Sequence, residues 1–301
     1  MLKFFKTWTL PISMLAGAIG YFVFANVTFL EPTKPFMYTL IAYLTPFLIF
    51  AQLLLTFCKI SVRELMPSPW HGWLLLIQAV SSLVLAALLL WLPMREEYRD
   101  VFEGAMVCLI CPTATAAATL LSNLLAAIVV PLVFPLVEPH AEITFFAAFL
   151  KILGKVFPLL LFPFFLALFL RRFIPPIHRF LAGLRDMAFY LWAVALAIVT
   201  GQTVKSLVNS EAEIYVEILI ALGGLITCIA QFYWGKRIGK KYNDRISAGQ
   251  ALGQKNTVLA IWMSYTYLNP LSSVGPGSYV LWQNIFNSYQ LWKKRNKELE
   301  N

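Results

Sequence analysis

The sequence predicts an all-α polytopic membrane protein: ten transmembrane helices in two inverted five-helix repeats, with broken helices crossing in the core. Three observations point there: the apolar share of the chain, the placement of its charges, and two segments that interrupt apolar helices. Of 301 residues, 59% are apolar and 13% charged, with a mean hydropathy of +0.72, whereas a water-facing fold carries about 25% charged residues. The shortfall concentrates in uncharged runs such as Gly104 to Val137 and Trp70 to Pro93. About 20 apolar residues suffice for a helix to cross a bilayer. Barrel strands alternate apolar and polar residues over about 10 positions, and these runs are apolar on every face, which argues against a barrel.

The net charge of +9 is a topology signal rather than a nucleic-acid footprint, because the bases fall into separate clusters. These are Lys3 and Lys6; Lys59 and Arg63; Arg171, Arg172, Arg179 and Arg185; Lys236, Arg237, Lys240, Lys241 and Arg245; and Lys293, Lys294, Arg295 and Lys297. Acidic or mixed loops lie between them, around Glu31, Glu96 to Asp100, Glu138 to Glu142 and Glu211 to Glu217. Basic loops stay in the cytoplasm. The alternation gives spans near 8–29, 36–57, 71–93, 101–118, 119–137, 144–170, 187–207, 214–235, 246–267 and 276–292, with both termini cytoplasmic. The first is too long for a signal-peptide core of about 7–15 apolar residues and reads as a retained span.

Catalytic and metal constellations are nearly absent. Cys58, Cys108, Cys111 and Cys228 lie in or at the ends of apolar segments, so no disulfide framework follows, and Cys108-x-x-Cys111 reads as two small packing residues. His71, His140 and His178 are in or beside loops, and no nucleophile elbow, zinc motif or phosphate loop occurs. Neither an enzyme nor a bound cofactor is expected.

Acids avoid the span centres, Glu103 and Glu217 coming nearest, but Lys255 sits deep in the otherwise uncharged stretch Ser247 to Pro270. A charge at that depth costs about 2.5–3.5 kcal/mol on insertion scales and faces a cavity or the bundle interior, or else snorkels to the surface. Lys151 and Lys155, four residues apart, read as an interfacial pair. Two segments break the helical pattern. Cys111-Pro112-Thr113-Ala114-Thr115-Ala116 places a proline and two threonines in mid-span, and Gly249 to Thr257 places two glycines and several amides there. Proline removes a backbone hydrogen bond and glycine permits unwinding. In lipid, freed backbone is tolerated only where it lines a cavity or is buried in protein. The breaks fall in the fourth and ninth spans, corresponding positions in two repeats of five, and paired broken helices mark a transporter's midplane site.

These segments resemble a known family. Cys111-Pro112-Thr113-Ala114-Thr115-Ala116 is similar to the fourth-span crossover of the bile acid:sodium symporter superfamily. Gly253-Gln254-Lys255-Asn256 is similar to its ninth-span crossover, and Gly275-Pro276-Gly277 with Trp282-Gln283-Asn284-Ile285 to its last span. The resemblance, to a ten-span bacterial-type member, covers the whole chain 1–301 as a single transporter domain. It implies a panel of spans at about 8–57 and 144–207 moving against a core at about 71–137 and 214–292, in the plasma membrane. Thr113, Thr115, Asn256, Thr257, Gln283 and Asn284 are then the candidate substrate contacts.

Sodium-using members carry an acid where this chain has Ala251 and a glutamine where it has Lys255, and Ala117 and Ala118 replace a Ser-Asn pair. Lys255 is a candidate tethered cation in place of sodium, and a candidate proton carrier. Gln254, Ala251, Gln78, Ser122 and Asn123 complete the candidate coupling site. From Glu103 to Glu138 there are too few residues for two full spans and a loop, so a deletion or a missing segment after Ala118 is expected. The function expected is alternating-access transport of a small or amphipathic organic anion, whose charge suits half-helix N-termini. The alternatives are a sodium symporter with rearranged ligands and a non-transporting sensor or scaffold. The partners are that anion and membrane lipid, with no nucleic acid.

Overall fold

The structure, a computed structural model, describes residues 2–61, 67–113, 116–138, 144–184 and 186–299. Thr115, Arg63, His140 and Arg185 lie outside the described residues. Twelve α-helices occur among the described residues: α1 (Leu2–Asn26), α2 (Lys34–Lys59), α3 (Pro69–Trp91), α4 (Glu96–Ile110), α5 (Ala116–Val137), α6 (Phe145–Phe173), α7 (Pro175–Gly183), α8 (Met187–Val208), α9 (Ile214–Lys240), α10 (Arg245–Gly253), α11 (Thr257–Tyr267) and α12 (Val274–Leu299). Seven, namely α1, α2, α3, α5, α6, α8 and α9, are long and apolar enough to cross a membrane, so this is an all-α integral membrane protein. Three of the expected spans take other forms. The fourth contains the 15-residue α4, the ninth is divided between α10 and α11, of 9 and 11 residues, and the tenth lies within the more polar α12.

Helix α3 shows which solvent the fold is built for. Pro69 opens it, and Ser68 and His71 form a reciprocal capping box. Its buried positions are Trp70, His71, Leu74, Gln78, Ser82, Ala86 and Leu89, while Trp73, Leu76, Val80, Leu83 and Leu90 are exposed. The spacing of three and four residues defines one helical face, and that face carries the polar side chains while aliphatic ones point outward. Such a pattern is costly in water and favourable in lipid.

Two groups of helices follow from the packing. Helix α1 lies along α8, and α2 packs against α6 and α8. Helix α4 packs on α3, α9 and α12, α10 lies along α9, and α11 touches α8 and α12. The groups meet through α5 on α6 and α11 on α8. Arg99 ties three ends together, donating to the carbonyls of Leu89 and Val137 and pairing with the buried Glu103 at 3.4 Å. Helix α7, in the basic linker, was not expected, and it places His178 on a helix.

Helices α4 and α12 approach closely because both are glycine at the contact: a Cβ on Gly275 would lie 2.8 Å from the Gly104 Cα. Gly275→Ala is expected to lower the thermal midpoint by a few degrees, since overpacking costs about 1–3 kcal/mol. An unchanged midpoint in detergent would remove this contact from the account.

Candidate functional site

Both expected breaks are present, and they are hydrogen-bonded to each other. Helix α4 stops at Ile110 because Pro112 forces Cys111 into an extended conformation, φ −58° and ψ 138°. Helix α5 begins at Ala116 and doubles back, so that the Thr113 N–H donates to Ser122 Oγ at 3.0 Å. Among the described residues α4 is followed by the 22-residue α5, whereas the 9-residue α10 is followed by the 11-residue α11. Helix α10 ends at Gly253, whose Cα lies against the Phe232 ring where a Cβ would collide. Asn256 then caps α11, its Oδ1 accepting from the Leu259 N–H at 3.3 Å. Thr113 and Lys255 pair as an antiparallel β-bridge. The Asn256 N–H donates to the Pro112 carbonyl at 2.9 Å, and the Cys111 thiol to the Asn256 carbonyl at 3.1 Å.

A helix end leaves its last carbonyls without intrahelical partners, and in lipid each must be satisfied by protein. At α4 they are. Gln231 Nε2, from α9, donates to Cys108 O at 3.2 Å. Lys255 Nζ donates to Leu109 O at 3.3 Å. Gln78 Nε2, from α3, reaches Ile110 O at 2.7 Å and Cys111 O at 3.2 Å. On the other break, Tyr279 donates its hydroxyl to Gly253 O at 2.8 Å, and Gln283 Oε1 accepts the Lys255 N–H at 3.0 Å.

Lys255 is 3% exposed, and no carboxylate among the described residues forms an ion pair with it. Its ammonium sits instead on the negative end of the α4 dipole, equivalent to about half an elementary charge. Ala251 and Ala118 stand at positions where the motif resemblance implies polar side chains at a sodium site. Ala251 and Ala118 belong to an apolar cluster with Trp70, Leu74, Ala248 and Leu252 and supply no side-chain oxygen. The Leu109, Ile110 and Cys111 carbonyls beside them accept from Lys255 and Gln78.

The remaining candidates divide by place. Gln78, Thr113, Ser122 and Ala251 line one cavity of about 10 Å³ together with His71, room for about one water molecule. Thr257 is buried with no hydrogen-bond partner for its Oγ1 among the described residues. Asn123 donates to Leu160 O on α6 at 3.2 Å, and its Oδ1 has no partner. The Gln254 backbone N–H closes α10 onto Gln250 O. Asn284 donates to Val280 O on its own helix and does not join the crossover.

Ligand-sized space lies elsewhere. A cavity of about 610 Å³ opens between α1, α2 and α8, lined among others by Gly20, Tyr21, Tyr38, Gln202, Lys205 and Asn209. A second, of about 840 Å³, shares Lys205, Asn209 and Tyr265 with it and carries Asp100, Glu211 and Glu213. Sequence reasoning missed Lys205, Gln202 and Tyr265, and the α4 partners Gln231 and Tyr279. For Lys205 a signal existed: Gln202, Lys205 and Asn209 recur at three and four residues, a polar stripe on an apolar helix.

No family model and no curated protein sequence matches the chain.

Proposed function

We propose that this protein is a secondary transporter of a small or amphipathic organic anion, working by alternating access without sodium. The observation that carries the reading is the buried Lys255 ammonium on the α4 terminus, where the non-helical stretches after α4 and α10 are bonded to each other. Interrupted helices at membrane depth occur at ion and substrate sites. An ammonium there supplies the positive charge that a coupling cation supplies elsewhere, and lies in a low-dielectric site where a second cation is strongly opposed. The motif resemblance to the bile acid:sodium symporter superfamily supports the same reading. In it the chain forms ten spans in two inverted halves, with both termini cytoplasmic. Helices α1, α2, α6 and α8 form the panel, and the remaining spans the core.

Purified protein in liposomes tests the proposal. Uptake of a radiolabelled organic anion, found by a thermal-shift screen, is expected to be the same in sodium, potassium or choline. Strict sodium dependence would overturn the tethered-cation reading and favour rearranged sodium ligands. Tight binding without uptake would make the molecule a sensor.

A further inference from the structure

We propose that the cavity between α1, α2 and α8 binds an amphipathic monoanion, with its head on Lys205 and its apolar body against α1. The site deepens the transport reading and rests on it for the fate of the bound anion, but not for the binding itself. At about 610 Å³ the cavity has the volume of small-molecule sites, which run to roughly 300–1,000 Å³.

Its walls are mainly apolar or small, and its charge is simple. Lys34 is paired with Glu31 at 3.5 Å, so that pair is neutral. Lys205 forms no ion pair among the described residues; its ammonium stands 4.1 Å from the centroid of the Tyr38 ring. One cation without an ion-pair partner among the described residues, beside apolar walls, suits one negative charge on an apolar body. Beyond Lys205 the second cavity carries Asp100, Glu211 and Glu213, which repel a second negative charge and confine the anion to the apolar side. A polar group for the head stands next to Lys205: Asn209 Nδ2 donates to the Lys205 carbonyl at 2.7 Å and to the Tyr21 hydroxyl at 3.2 Å, so the Tyr21 hydroxyl, which lines the cavity, has its own proton to donate.

The floor is built to be open. Gly17 packs on the Ala197 backbone and brings α1 onto α8, but a Cβ on Gly20, one turn away, would meet nothing within 4 Å. Gly20→Leu therefore fills the cavity without disturbing the helix contact. It is a second variant, independent of the charge.

The test is binding of naphthalene-2-sulfonate to the protein in phosphatidylcholine nanodiscs, against neutral naphthalene-2-sulfonamide. The wild type is expected to prefer the sulfonate by about tenfold. Lys205→Met should abolish that preference, Lys205→Arg should keep it, and Gly20→Leu should weaken both ligands. Equal affinity of wild type for the two probes, or an unchanged preference in Lys205→Met, overturns the site. Displacement of the sulfonate when phosphatidylglycerol replaces phosphatidylcholine would assign the cavity to an anionic lipid and overturn a free anion as its occupant. Sulfonate binding without uptake in liposomes removes the transporter and leaves the site. Uptake that Lys205→Met leaves unchanged removes the site and leaves the transporter.

Discussion

Lys255→Met is expected to lower anion uptake at least about tenfold while the protein still folds. Methionine keeps the length and apolar stem of lysine but removes the ammonium from the α4 terminus. The Leu109 carbonyl then loses its donor, which costs about 1–3 kcal/mol. The desolvation cost of a buried charge disappears at the same time, and apolar replacement of buried charges is often neutral for stability. Function and stability thus separate: the thermal midpoint should move by a few degrees while transport is largely lost. Lys255→Glu is a harsher change, since it sets a carboxylate against carbonyl oxygens, and folded protein is not expected. Wild-type uptake by Lys255→Met would leave the buried ammonium without a role in transport.

Gln78→Leu is expected to destabilise the fold more than Lys255→Met does. One amide satisfies two carbonyls, Ile110 and Cys111, and leucine satisfies neither. At about 1–3 kcal/mol for each buried orphan, the loss is about 2–6 kcal/mol. At roughly 2 °C per kcal/mol for a chain of this size, the midpoint in detergent should fall by about 4–12 °C. Leu76→Ala, on the exposed face of the same helix, serves as the control and should change little. A midpoint for Gln78→Leu equal to that of the control would show that the α4 carbonyls do not need this partner.

Most of the helix plan was legible in the sequence because an apolar run carries its own signal, and both interruptions were legible because Pro112 and Gly253 act on their own backbone. That α4 would be as short as 15 residues showed beforehand only as a shortage of residues between Glu103 and Glu138. What fills the breaks was less accessible. Gln231 and Tyr279 are far from Cys108 and Gly253 in sequence and meet them only through the packing of α9, α4 and α12; no local pattern announces such pairs. Lys205 escaped notice for a different reason. A lone base near the end of an apolar helix looks like an interfacial anchor until α1 and α2 are seen to stand apart over it. Helix α7 has only nine residues and opens on Pro175-Pro176, which in a sequence read as a break between helices.

The crossover is stitched from four directions: α3 through Gln78, α9 through Gln231, α12 through Tyr279 and Gln283, and each break through the other. Unwound backbone is ordinarily where a protein yields. Here the two non-helical stretches are cross-braced, so neither can slide without tearing bonds in three helices at once. Open space lies instead beside the seam between α8 and α11, where Lys205 and Tyr265 line both cavities. The molecule's backbone irregularities are therefore braced positions rather than loose ones.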